Sequence, residues 1–392
     1  MPRQLLIAGA GIGGLAAALA ASRAGWQARV FEQAPAFSEV GAGIQLGPNA
    51  TRVLREWGVL QSLQDRACRP SRLVARDARS GRGLAALALG DSFESRYEAP
   101  YLTVLRADLH AALWQGVRGQ EVGLETGRRL ERVTKRPDGV RVDLGGAGPC
   151  EGDALVGADG LWSVVRPSLV DDGAPRPSDH VAYRALVPLD RVPAVCRAQE
   201  VTAWLGPHLH AVTYPVAGGA LLNVVCVVRQ AVDGSPHGWD LPGAAERLRA
   251  ALGRMCDPLQ SAVDAAPSWG LWVLHDRAPV SGAHQMARGR VALLGDAAHP
   301  MRPYLAQGAA MALEDAHALG RSLAAVRDRI VDVEAGLQRY ALDRWQRVAR
   351  VQRRSLRNAA IFHAQGPLRM ARDLALRGLG ARLMDLPWLY GH

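Results

Sequence analysis

The sequence predicts an α/β chain, and three observations carry that prediction. An apolar run over residues 4–8 leads into Gly9-Ala10-Gly11-Ile12-Gly13-Gly14 and an alanine-rich stretch, which is the pattern of a buried strand, a tight turn and a helix. A second apolar run over 27–32 closes on Glu32, completing a βαβ unit of Rossmann type. From about residue 176 to 285 the texture changes to short strand-like runs broken by proline and glycine, the pattern of an inserted antiparallel sheet.

Taken in order, residues 4–8 read as a parallel strand, 13–24 as a helix stopped by Gly25, and 27–32 as the second strand. Residues 41–50 read as a glycine-rich loop whose Asn49 caps a helix over 50–57. Arg106 opens an amphipathic helix with Leu109, Leu113 and Trp114 on its apolar side. Residues 128–144 alternate as a hairpin turning at Pro137-Asp138-Gly139. Residues 154–158 form a hydrophobic strand that runs into Asp159-Gly160. The inserted sheet takes runs at 182–187, 201–205, 211–216 and 221–228, with a helix over 243–253. Residues 291–294 return to the first domain as a buried strand, and beyond 307 the chain is mostly helical. The domain boundaries expected are 1–175, 176–285, 286–325 and 326–392.

Composition narrows the function. With 392 residues, 48% hydrophobic and 21% charged, the chain suits a globular protein with ample core. Lys plus Arg exceeds Asp plus Glu by 47 − 37 = 10, and Lys135 is the single lysine. The basic residues are scattered without interleaved aromatics, which argues against nucleic acid. The densest run, Arg344 to Arg357, reads as a solvated helix face. Five dispersed cysteines show no metal spacing, so no metal is expected, and free thiols fit a reducing cytoplasm. Phased glycines inside the apolar N-terminus favour strand-turn-helix over a signal peptide, and no apolar stretch approaches the ~20 residues of a membrane span.

The motifs name a chemistry. In Gly9-x-Gly11-x-x-Gly14 the first glycine turns the chain, the second admits a pyrophosphate, and the third lets helix and strand pack. The helix start at Ile12 and Gly13 offers free N–H groups to phosphate. Glu32 can accept both hydroxyls of an adenosine ribose and would repel a 2′-phosphate. Asp159-Gly160, with Ser163 and Arg166, ends a strand and is also simply a good turn. Gly295-Asp296 ends another strand, where a carboxylate can bind a ribityl hydroxyl. Gly308 and Ala309 begin a helix whose N-terminus favours negative charge on a flavin ring edge. Together these point to FAD.

The set resembles the single-component FAD-dependent aromatic hydroxylases over essentially the whole chain, with the nearest look to the hydroxybenzoate, hydroxynicotinate and salicylate hydroxylases. Glu32 and its neighbours through Pro35, Gly41 to Asn49, His299-Pro300-Met301, Ala306-Gln307-Gly308-Ala309 and the Trp388-Leu389-Tyr390-Gly391 tail carry it. The resemblance implies that Glu32, Gln33, Arg106 and Asp296 contact FAD and that Leu130 touches the adenine. It implies His210 as catalytic base with Tyr214 beside it, since residues i and i+4 of a strand share a face. A neutral imidazole tuned near working pH would take or relay a phenolic proton; a hydrogen-bonded structural histidine is the competing reading. His208, read as lying on the same strand face, Gln45, Pro300 and Tyr304 complete the expected substrate wall.

The expectation is therefore an FAD monooxygenase that uses NADH or NADPH and O2 to hydroxylate a phenolic aromatic acid through a flavin C4a-hydroperoxide. The expected partner is a small aromatic carboxylate, with a homodimer left open. The alternatives are a flavin monooxygenase or dehydrogenase acting on a non-aromatic or larger secondary metabolite, or a non-catalytic dinucleotide-binding protein.

Overall fold

Two large sheets, one mainly parallel and one mainly antiparallel, meet along a cleft. The computed structural model describes residues 2–37, 42–146, 148–230, 241–242 and 245–391. The expected loop residue Gly41 and the first two residues of the helix expected over 243–253 lie outside them.

The first sheet has six strands in the order Ala287–Arg288, Val291–Leu293, Ala154–Gly157, Gln4–Ala8, Gln27–Phe31 and Val122–Glu125. All pairings are parallel except that between the first two. Strand 4–8 is central and almost wholly buried, which is why it reads as an unbroken apolar run. The helix Ile12–Arg23 packs on it and against the helix Gly308–Arg327. The hairpin expected over 128–144 is present as Leu130–Lys135 and Val140–Leu144, extended by Cys150–Gly152.

The second sheet has eight strands in the order Leu241–Pro242, Gly270–Asp276, Arg176–Pro188, Leu221–Arg229, Leu209–Val216, Glu200–Gly206, Arg72–Asp77 and Gly83–Ala88. Strands 72–77 and 83–88 come from a stretch expected to lie with the cofactor domain. Strand 72–77 pairs in parallel with 200–206 and extends the sheet. One face is covered by helices Ala245–Leu252 and Asp257–Asp264, through a core that includes Tyr183, Trp204 and Cys226. The other face looks toward the cofactor domain. The five cysteines are buried and unpaired.

Three local expectations need correction. Residues 43–46 form a strand paired with Leu102–Leu105 rather than a loop. The following helix runs from Pro48 to Glu56 with Gly47 at its N-cap, because proline suits the first helical position. Asn49 is therefore inside the helix, and its side-chain amide donates to Gln307 (2.9 Å) and Glu314 (2.7 Å). The basic run 344–357 is not a uniformly solvated face. It belongs to the 30-residue helix Val333–Phe362, in which Arg344 is buried against two carboxylates and Arg350 stacks on Trp388 at 4.2 Å. Among the described residues no helix is long and apolar enough to cross a membrane, and no group of His, Cys, Asp and Glu is arranged to hold a metal.

Candidate active site

The glycines at the N-terminus divide their work. Gly9 has φ +92°, and a Cβ there would stand 2.6 Å from the Ala158 carbonyl oxygen, so the turn requires glycine. A Cβ on Gly14 would lie 1.8 Å from the Gly9 carbonyl oxygen, and one on Gly13 would lie 2.8 Å from Leu294, so both are packing positions. Gly11 differs. Its Cβ would meet nothing nearer than a guanidinium nitrogen of Arg106 at 3.9 Å. The open space beside Gly11, facing the start of the helix at Ile12 and an arginine, suits a pyrophosphate.

Gly11 also has ordinary extended backbone (φ −69°), so alanine is tolerated there without strain. Gly11→Ala is expected to leave unfolding by urea within about 0.5 kcal/mol of the parent. FAD affinity should nevertheless fall, because the methyl group enters the phosphate's space. Titration of the apoprotein with FAD checks this, and unchanged affinity would put the phosphates elsewhere.

The acids follow. Glu32 accepts from the amides of Ala10 (2.8 Å) and Ala34 (2.9 Å), which holds its carboxylate at the end of the second strand. Gln33 is exposed beside it, and Leu130 is buried nearby. Its loop is tied to that strand end where the Arg128 amide donates to the Glu32 carbonyl (2.7 Å). Asp159 accepts from the amides of Val164 (2.7 Å) and Val165 (3.2 Å) through Oδ2, while its buried Oδ1 has no partner among the described residues. Burial raises its carboxyl above the ordinary range, against Ser163 and the two amides.

Every residue from Val291 to Pro300 is buried except Asp296, which projects into open space. That space is still enclosed enough for burial to raise the carboxyl of Asp296, against the pull of His299 and Arg106. Arg106 thus lies across from Gly11 and within electrostatic reach of Asp296, and the two motifs line one cleft. Gly308 opens its helix with no atom within 4 Å of where its Cβ would be, followed by half-buried Ala309, so a flat ring can approach the backbone there.

The loop bearing Asp296 is held from two sides. Buried Arg166 donates to the carbonyls of Ala297 (2.8 Å) and Ala298 (2.7 Å) while pairing with Asp172 (2.8 Å). Fully buried Asp315 accepts from the Gly295 amide (3.1 Å), from His299 Nε2 (2.5 Å) and from Arg344 (2.7 Å). Arg344 and Arg347 also grip Glu314, and Arg347 donates to the carbonyls of Trp388 and Leu389, which fastens the C-terminal tail. His299 and the acidic pair at 314–315 therefore build the loop.

From Asp296 the loop runs on to the second sheet. Tyr304 is buried, and its ring centroid lies 4.9 Å from that of His210. Pro300 is buried and its carbonyl accepts from Gln352 (3.0 Å). His210 and Tyr214 share the face of strand 209–216 that looks at the cofactor domain. Tyr214 stands beside Gln45, to which Tyr101 donates (2.7 Å), and a Cβ on Gly43 would collide with Tyr214 at 2.7 Å. The cross-strand register gives three rows on that face: Ala182, Val227 and His210; then Arg184, Val225 and Val212; then Leu186, Asn223 and Tyr214. Arg184, which sequence reasoning passed over, therefore sits between the rows of His210 and Tyr214, over the ring of Trp272.

Two expectations about this wall change. His208 is in the hairpin turn rather than on the strand face, with φ +61° and an exposed side chain, and its Nδ1 meets Gln365 (3.3 Å). His210 is not tuned near neutrality. Burial, reinforced by His180, pushes its imidazole down to about 3, while burial raises Tyr214 beyond the ordinary phenol range. His210 Nδ1 is 2.8 Å from Nε2 of His363, a residue 153 positions away that no local pattern links to it.

Comparison with known proteins agrees with this geometry. The sequence profile of a family described as "FAD binding domain" matches residues 3–355. The chain is 37% identical to a 3-hydroxybenzoate 6-hydroxylase of Polaromonas naphthalenivorans (strain CJ2), over 99% of this chain and 95% of the relative. It is 40% identical to a 3-amino-4-hydroxybenzoate 2-monooxygenase of Streptomyces cremeus, again over 99% of this chain and 95% of the relative. The crystal structure of Klebsiella pneumoniae HpxO complexed with FAD and uric acid superposes with a TM-score of 0.84 at 26% identity, covering 97% of this chain and 94% of that one.

Proposed function

From its membership of the FAD binding domain family, as an FAD-dependent aromatic-ring monooxygenase, we propose that this protein hydroxylates a phenolic aromatic acid of the hydroxybenzoate class with NADH or NADPH and O2. The observation that carries this reading is one cleft with two walls: Gly11, Arg106 and Asp296 on one side, and His210, Arg184 and Tyr214 on the other. FAD, when bound, supplies the redox chemistry, accepting hydride from the nicotinamide and delivering one oxygen atom of O2 to the ring while the other leaves as water.

The residues of the chain bind, orient and deprotonate. His210 is neutral and takes the phenolic proton at Nε2, since a phenolate ring attacks electrophilic oxygen more readily than the phenol. Tyr214, held protonated by burial, donates a hydrogen bond to the substrate oxygen. Arg184 receives the carboxylate. It stands on the same sheet face as His210 and Tyr214, it already draws the phenol of Tyr214 downward against the larger effect of burial, and a guanidinium pairs with carboxylate bidentately. The apolar residues Val212 and Val225 beside it exclude water.

The test is oxidation of NADH and NADPH by the FAD-loaded enzyme with 3-hydroxybenzoate, 3-amino-4-hydroxybenzoate, salicylate, 4-hydroxybenzoate and 6-hydroxynicotinate, products being identified by mass. At least one should give a product one oxygen atom heavier, with matching nucleotide consumption. Arg184→Met should raise KM for that acid roughly 10- to 100-fold, the worth of about 1.5–3 kcal/mol for a hydrogen bond to a charged group. It should lose little on the corresponding phenol without a carboxylate. Turnover only on carboxylate-free compounds would favour a larger or non-aromatic metabolite.

A further inference from the structure

Behind His210 stands a row of buried histidines that ends at the surface. His210 Nδ1 lies 2.8 Å from His363 Nε2, and His363 Nδ1 lies 3.2 Å from His180 Nε2. His180 Nδ1 lies 2.8 Å from Asp179 Oδ1 and 3.1 Å from a guanidinium nitrogen of Arg302. The three rings are 2%, 9% and 8% exposed, whereas the Asp179 side chain is 49% exposed. The row therefore connects the cleft to water.

We propose that His210, His363, His180 and Asp179 form a proton relay, which carries the substrate's phenolic proton from the cleft to the surface and returns it when product leaves. The proposal rests on the reading of His210 as the base, and it adds His363 and His180 as positioning and transfer residues that do not touch substrate.

A neutral imidazole has one donor and one acceptor nitrogen, so three in a row are satisfied only head to tail, in one of two senses. In the first sense His180 Nδ1–H donates to Asp179, His363 Nδ1–H donates to His180, and His210 Nδ1–H donates to His363. His210 Nε2 is then the bare acceptor, and among the described residues it has no partner in the fold. In the second sense every ring is reversed: Arg302 donates to His180 Nδ1, His180 Nε2–H donates to His363, His363 Nε2–H donates to His210, and His210 Nε2 carries the proton. Asp179 and Arg302 on the same nitrogen are the terminators of these two states.

Passage from the first state to the second moves one proton through the row. The substrate O–H bond breaks and an N–H bond forms at His210 Nε2. Each ring passes its own proton outward, and Asp179 Oδ1 releases one to water. No ring holds two protons after the shift. This matters because burial makes imidazolium at His210 and His363 unfavourable, with like charge from His180 and His208 adding to it. A lone histidine so disfavoured as a cation is a poor store for a proton but a good conductor of one. The charged and titratable groups facing the row are Arg302 and Tyr304 from the loop after Pro300, Asp276 behind Arg302, Arg229 on Asp179, and His208 in the hairpin turn. Phe362 packs on His210 and supplies no proton site.

The experiment uses oxidised, FAD-loaded enzyme without nicotinamide, mixed rapidly with 3-hydroxybenzoate or 3-amino-4-hydroxybenzoate in weakly buffered solution containing a pH indicator. Wild type should release a proton on binding. His363→Gln keeps a hydrogen-bonding side chain that cannot pass a proton; it should slow release by about 100-fold with the dissociation constant little changed. His180→Ala should be equally slow and should be rescued by added imidazole, which a purely structural role would not permit. Release as fast in both variants as in wild type would overturn the relay. Failure of wild type to release a proton with either acid, or undiminished release in His210→Ala, would instead remove the base on which the relay depends.

Discussion

His210→Ala is expected to stay yellow with bound FAD and to hydroxylate about 100- to 10,000-fold more slowly, the range a positioned base contributes. The residue touches none of the groups that line the dinucleotide cradle; its ring neighbours are Tyr304, Phe362 and His363. The loss should therefore appear in kcat and in phenolate formation, while the flavin spectrum changes little; substrate-free stability should fall by about 1–3 kcal/mol, because buried His363 loses its partner. Its pH dependence follows from burial. A histidine whose imidazole is held at about 3 is neutral throughout pH 5–8, so wild-type activity should show no acid limb at the ordinary histidine value of about 6.5. Steady-state rates across that range check both statements. An acid limb near 6.5 that vanishes in His210→Ala would mean that the imidazole is exposed to water and titrates normally.

Asp315→Ala is expected to cost about 3–5 kcal/mol of unfolding free energy, because removing one member of a buried ionic group strands its partner. The partner here is Arg344, 6% exposed, and the same carboxylate also fixes His299 and the Gly295 amide. The loop carrying Asp296 should loosen with it, so FAD should be lost at denaturant concentrations that leave wild type intact. The effect has a defined pH window. His299 and Arg344 hold the Asp315 carboxyl down to about 2 despite burial, below its unfolded value of about 3.9. Its contribution is therefore fully present above about pH 4 and is lost as pH falls toward 2. Urea midpoints of the two proteins should differ by a constant amount from pH 8 to 5 and converge in stronger acid. Equal midpoints at pH 7 would show that Glu314 alone satisfies Arg344.

The parallel sheet, the dinucleotide turn and the strands of the inserted sheet were legible because each is dictated locally. Three phased glycines before an alanine-rich helix permit few other structures. Short strand-like runs at 201–205, 211–216 and 221–228, broken by proline and glycine, prescribe strands. Strand periodicity, applied to the histidine and tyrosine that the resemblance singled out, put His210 and Tyr214 on one face, four residues apart. It misled at His208, since spacing by two holds only while the strand continues, and here the chain turns with a left-handed residue.

What the sequence alone determined, then, was the glycine turn, the strands around it and the class of fold, because backbone geometry over a few residues sets all three. Tertiary structure decided what those residues can do. Arg184 enters the site through cross-strand register, Arg166 and Asp315 clamp a loop more than 15 residues away in sequence, and His363 meets His210 across 153 positions. The depressed basicity of His210 is likewise a property of its surroundings. Burial and long-range pairing arise only when distant segments pack together, and no spacing along the chain encodes them.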